Sequence, residues 1–96
     1  MFIISLTYKS SIENVERFIP QHNIFLNKHY ESGQFIASGR KEPRTGGIII
    51  ANAESKSEIE QIISEDPFYI HQIADYDITE FLPSKYNENF KLFIED

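Results

Sequence analysis

Four apolar runs of strand character, separated by two stretches of helical period, follow one another as β-α-β-β-α-β and predict an α+β domain. The most β-branched run, Ile48-Ile49-Ile50, reads as an interior strand. Each β-α-β half closes as a right-handed crossover. The economical arrangement is a four-stranded antiparallel sheet with two helices on one face, which is the ferredoxin-like fold. The 96 residues form one domain, 1–96, with room for a single thin core.

The first strand covers 2–8, with Phe2, Ile4, Leu6 and Tyr8 on one face and Ile3, Ser5 and Thr7 on the other. Ser10 or Ser11 caps a short helical turn through Val15 and Arg17. Pro20 suits the first turn of a helix, where its missing N–H is no loss, so a helix is expected over 20–32, stopped by Gly33. The second strand follows over 34–38. Residues 39–47 read as a polar loop, with Pro43 and Gly46-Gly47 as turn signals. The third strand is 48–51, and 52–55 turn the chain. A second helix over 57–64 points Ile59, Ile62 and Ile63 inward. Asp66-Pro67 is an N-cap and N1 pair that starts a short turn reaching Ile70 or His71. The last strand is 74–82, ended by Pro83. A tail with Tyr86, Phe90, Leu92, Phe93 and Ile94 is too apolar for solvent and is expected over the sheet or on a partner.

Eight Phe and five Tyr are many for so small a domain. Two helices cover one sheet face, so a second subunit, the tail, or both must cover the other. A homodimer or higher homo-oligomer is therefore expected. The net charge of −6 speaks against nucleic acid. Arg40, Lys41 and Arg44 form the only tight basic cluster, and Glu42 interrupts it. The absence of cysteine excludes disulfides, thiolate chemistry and cysteine zinc sites. The apolar opening is too short for a signal peptide or membrane span, so the expectation is a soluble, cytoplasmic protein with no membrane partner. No phosphate loop, dinucleotide fingerprint or calcium loop is present, and no cofactor is expected.

His22 interrupts a greasy helix face. At about 100° per residue, Leu26 lies about 40° to one side of it and His29 about 20° to the other. A buried imidazole needs partners for its nitrogens, so His22 is either a satisfied structural histidine or the titratable group of a pocket. His29, seven residues on, reads as a partly buried histidine near the helix C-terminus or as half of a metal pair, and no metal site is expected. Asp66 is a helix cap, a partner for a histidine, or both. His71 reads as an interface or pocket-rim residue. Arg40 and Arg44 form a solvated rim or receive a substrate carboxylate or phenolate. Asp75 and Asp77 share a solvent face. No serine sits in a nucleophile-elbow setting.

His22-Asn23-Ile24-Phe25-Leu26, Gly33-Gln34-Phe35-Ile36-Ala37-Ser38-Gly39 and Asp66-Pro67-Phe68 follow the opening strand Phe2-Ile3-Ile4-Ser5-Leu6. In that order, with the hydrophobic third strand, the chain resembles the YCII-related family over nearly its whole length. It has Gly39-Arg40 where members often have Gly-Pro, and Phe68 where Tyr is frequent. The resemblance implies a ferredoxin-like subunit that dimerises into a closed, barrel-like assembly. It also implies a cleft in which His22 lies near Asp66, with Gly39, Arg40 and Phe68 at its rim. Gly39, Arg40, Arg44, Phe68 and His71 are the residues expected to meet a small-molecule ligand. The expected chemistry is elimination or isomerisation by a His–Asp pair on a small acid or ketone, without a cofactor. The other reading is a ligand-binding or assembly module in which the same pair holds the architecture.

Overall fold

The computed structural model describes residues 1–94, so Glu95 and Asp96, counted above in the single domain, lie outside the described residues. Its elements run β1 (Phe2–Tyr8), α1 (Ile12–Glu31), β2 (Phe35–Arg40), β3 (Gly46–Ala51), α2 (Lys56–Ile63), α3 (Pro67–Ile70) and β4 (Ala74–Glu80), followed by a 3-10 turn over Glu88–Phe93. The sheet order is β2-β3-β1-β4 with every neighbouring pair antiparallel, the ferredoxin-like α+β arrangement. The isoleucine-rich β3 is interior, as its composition predicts.

One sheet face makes the core. Phe2, Ile4 and Leu6 of β1 and Ile49 and Ala51 of β3 are buried with Val15 and Phe25 of α1, Ile59, Ile62 and Ile63 of α2, and Phe68 of α3. The opposite face pairs Ile3 with Ile50 and Ser5 with Ile48 across β1 and β3, and all four are half-buried.

Helix α1 differs most from expectation. It begins at Ile12, capped by the Ser11 side chain on the Asn14 N–H, and passes through Pro20 without ending. Proline removes one hydrogen-bond donor and crowds the preceding turn, at about 3 kcal/mol in a helix interior. Val15, Phe18, Ile19, His22, Phe25, Leu26 and His29 carry one continuous stripe across it, and Pro20 lies on the exposed side. Burial of that stripe outweighs one lost bond. At the far end Gly33 takes φ +84°, the left-handed conformation that stops the helix.

Gly46 and Gly47 are not a turn. They open β3, with Gly46 opposite Thr7, and a Cβ on Gly46 would lie 1.7 Å from the Leu6 carbonyl oxygen. Glycine is needed there because two backbones approach too closely for a side chain. Strand β2 extends to Arg40, and β4 ends at Glu80 instead of residue 82. In the tail, Phe93 and Ile94 lie at the sheet end beside Met1 and Glu80, where the Asn52 amide donates to the Phe93 carbonyl at 2.7 Å. Leu82 and Leu92 stay exposed.

Candidate active site

α1 crosses the sheet and leaves a cleft of about 240 Å³ between its middle turns, β2 and β3. Leu6, Ile19, Leu26, Ile49 and Phe68 supply apolar walls. Tyr8, His22, Asn23, Ser38, Arg40 and Arg44 bring the polar groups, and Gly39 and Gly47 present backbone. His22, Gly39, Arg40, Arg44 and Phe68 thus come together from three separate stretches of chain. His71 does not join them. It is exposed at the end of α3 and stacks on Phe18, ring centroids 4.3 Å apart, away from the lining.

The His22 side chain is 14% exposed, and its Nδ1 lies 2.8 Å from Asp66 Oδ1. Asp66 has no exposure at all and stands behind the imidazole instead of in the cleft. The aspartate is set locally: as N-cap of α3, its Oδ1 also accepts the Phe68 N–H at 3.0 Å, and Pro67 takes the first helical position, where no donor is needed. That cap places Phe68 flat against His22, with centroids 4.1 Å apart and planes 6° from parallel. The stacking fixes the ring plane, and the carboxylate fixes which nitrogen faces inward.

The second oxygen, Oδ2, accepts from the Tyr76 hydroxyl at 2.5 Å. Burial, then the Asp66 charge and this hydrogen bond, push the Tyr76 phenol well above its ordinary value, so it stays a donor. The sequence reading passed over Tyr76. Its signal was the alternation that puts Tyr76 and Ile78 on the same face of β4, together with the need of a buried phenol for a partner. Asn23, Ser38 and Tyr8 were also missed as lining residues, since nothing local distinguishes them.

The tautomer follows from the hydrogen bond. Nδ1–H donates to the carboxylate, which leaves the lone pair on Nε2. Nε2 has no hydrogen-bond partner among the described residues, and its ring lines the cleft. This arrangement can take a proton from a molecule in the cleft and hold the resulting cation against Asp66. At the rim Arg44 pairs with Glu16 of α1 at 3.3 Å, while Arg40 has no polar partner among the described residues. An unpaired guanidinium beside apolar walls suits a planar anion.

His29 is buried one helical face-repeat further on, with Nε2 3.1 Å from Glu65 and Nδ1 without a partner among the described residues. Lys28 shares Glu65 at 2.8 Å, and its hydrogen bond, opposed by burial and helped by His29, holds that carboxyl below its usual range. These contacts fasten α1 to the segment before α3 and do not reach the cleft. Among the described residues no group of three or more His, Cys, Asp or Glu side chains is placed to hold a metal ion. No described helix is long and apolar enough to cross a membrane. Asp75 pairs with Lys9 at 2.9 Å, and Asp77 is exposed opposite Ser5.

The profile of the YCII-related domain matches residues 1–82, which takes in every strand and helix of the sheet layer and leaves out the 3-10 tail. Among solved structures the chain is similar in fold to 5-chloro-2-hydroxyhydroquinone dehydrochlorinase from Burkholderia phenoliruptrix AC1100, seen in complex with 2,5-dihydroxybenzoquinone. The TM-score is 0.74 at 17% identity, covering 92% of this chain and 96% of that one. No curated protein matches the chain in sequence.

Proposed function

The chain belongs to the YCII-related family, and from that premise we propose that it is an enzyme of elimination or isomerisation, acting without a cofactor on a small organic acid or ketone, cyclic substrates included. His22 and Asp66 carry the chemistry. The observation that supports this reading is the division of labour at one imidazole. Nδ1 is held 2.8 Å from a fully buried carboxylate, and the ring that bears the unpartnered Nε2 lines an apolar cleft. His29 also has one nitrogen unpartnered among the described residues, but it is buried away from the cleft, whereas the free nitrogen of His22 belongs to a ring that lines it.

In the proposed step Nε2 removes a proton from the carbon beside the substrate's carbonyl or carboxyl group. The C–H electrons form the new double bond. In an elimination the leaving group departs from the neighbouring carbon with its bonding pair. In an isomerisation the imidazolium returns the proton to a different carbon. Asp66 accepts from Nδ1–H throughout, and its charge favours the cation. Arg40, with Arg44 beside it, receives the substrate carboxylate or phenolate, Gly39 gives close backbone access, and Phe68 forms the wall. The dehydrochlorinase of the same fold is named for an elimination on a small ring compound, which supports this substrate class.

The same reading includes a homodimer in the cytoplasm, formed over the face that carries Ile3, Ile48 and Ile50. The experiment is exchange of the activated C–H of small cyclic acids and ketones in D₂O, followed by NMR. His22→Ala is expected to slow exchange by about 10²–10⁴-fold while the fold is kept. Unchanged exchange with a stability loss of about 1–3 kcal/mol would leave His22 structural and reject the reading.

A further inference from the structure

Asp66 does not face His22 alone. Its two oxygens divide three donors: Oδ1 meets His22 Nδ1 at 2.8 Å and the Phe68 N–H at 3.0 Å, and Oδ2 takes the Tyr76 hydroxyl at 2.5 Å. The last contact is at the short end for an O–H on a charged acceptor, the class of hydrogen bond about twice as strong as a neutral one. It joins β4 to the start of α3, ten residues apart in sequence, and among the described residues forms the only polar link from the sheet to the carboxylate.

We propose that Tyr76 is a positioning residue for His22: its hydroxyl holds Asp66 from behind and draws off part of the carboxylate's charge, which sets how strongly the imidazole keeps its proton. This rests on the reading of His22 as a proton carrier. A carboxylate that gives one oxygen to a strong donor has less charge for the other oxygen. His22 is then released more readily from the imidazolium form than it would be beside an unsupported aspartate. Tyr76 can act this way throughout the range in which a histidine titrates, because its burial and the Asp66 charge keep the phenol protonated. Loss of the hydroxyl would not free the carboxylate, since the Phe68 N–H and the complete burial of Asp66 remain.

The other charged or titratable groups lining the cleft around His22 are Tyr8 from β1, Arg40 from β2 and Arg44 from the loop after it. β3 brings only Gly47, Ile48 and Ile49, and Glu16 of α1 is paired with Arg44. None of these touches Asp66 among the described hydrogen bonds.

The test is an NMR titration of the His22 ring in the full chain without substrate, for the wild type, Tyr76→Phe, and a protein carrying 3-fluorotyrosine at position 76. The fluorinated phenol is the stronger donor. The midpoint is expected to rise by about half a pH unit in Tyr76→Phe, roughly a threefold gain in proton affinity, and to fall with fluorotyrosine. His71, which does not contact Asp66, serves as the internal control and should not move. A single midpoint for all three proteins, or the reverse order, would reduce Tyr76 to core packing. Should Tyr76→Phe fail to fold, the nearly isosteric fluorotyrosine decides alone. Because no substrate is present, failure here leaves the proposed chemistry standing, whereas failure of the exchange experiment would remove the catalytic meaning of the tuning and leave only the measured effect of Tyr76 on the imidazole.

Discussion

Asp66→Asn separates the charge of this side chain from its shape. The aspartate is fully buried, caps α3 through the Phe68 N–H, and meets His22 and Tyr76 on opposite oxygens. Asparagine is about as good an N-cap, so with its oxygen at the Oδ1 position both the cap and the His22 contact survive. Its NH₂ then faces the Tyr76 oxygen, which can accept, and the phenol loses only its own acceptor, at about 1 kcal/mol. Asp66→Ala removes the cap as well, about 1 kcal/mol more, and leaves a buried hydroxyl unpartnered, for a total of about 2–4 kcal/mol. The charge effect runs separately from these costs. An opposite charge in direct contact typically moves a titration by 1–3 units toward the charged form. With the carboxylate 2.8 Å from Nδ1 replaced by a neutral amide, the imidazolium of His22 should lose support in Asp66→Asn. Urea denaturation gives the stability, and the imidazole C–H shifts give the titration. An unmoved midpoint would show that the carboxylate does not support the imidazolium, and Asn as costly as Ala would contradict the cap geometry.

Alkaline pH should weaken the fold through Tyr76. Its phenol is raised above the ordinary 10.0 in the folded chain, so the unfolded chain gives up its proton first. The associated stability is whole below pH 10, then declines as pH rises toward the folded value. Denaturation midpoints across that window should drop less for Tyr76→Phe than for the wild type. Gly46→Ala forces a Cβ onto backbone 1.7 Å away and should cost about 3 kcal/mol or more, read as lost or shifted unfolding by circular dichroism. Light scattering at micromolar concentration should give twice the chain mass, with Ile50→Lys on the open face dissociating it. A specific interface there needs about 1,200 Å² of buried surface, and a fully folded wild-type monomer would remove the dimer from the proposal.

Local chemistry was legible in the sequence wherever neighbours within a few residues decide the outcome. The alternation of Phe2, Ile4 and Leu6, the stop at Gly33 and the cap at Asp66-Pro67 each depend on backbone geometry and periodicity that a short window contains. From these the order of strands and helices, and with it the ferredoxin-like fold, could be read. Tertiary packing decided the rest. Pro20 lies inside α1 because a stripe from Val15 to His29 finds a core to bury against, a gain that no local preference registers. Gly46-Gly47 became strand because β1 needed a partner there, and His71 went to Phe18 because the end of α3 faces away from the cleft. His22 and Asp66 are separated by 44 residues, and their proximity was implied by family resemblance and not by spacing. Tyr76 had no such guide. It reaches Asp66 because β4 and α3 pack on the same core beside α1, and only that packing turns three distant side chains into one hydrogen-bonded chain.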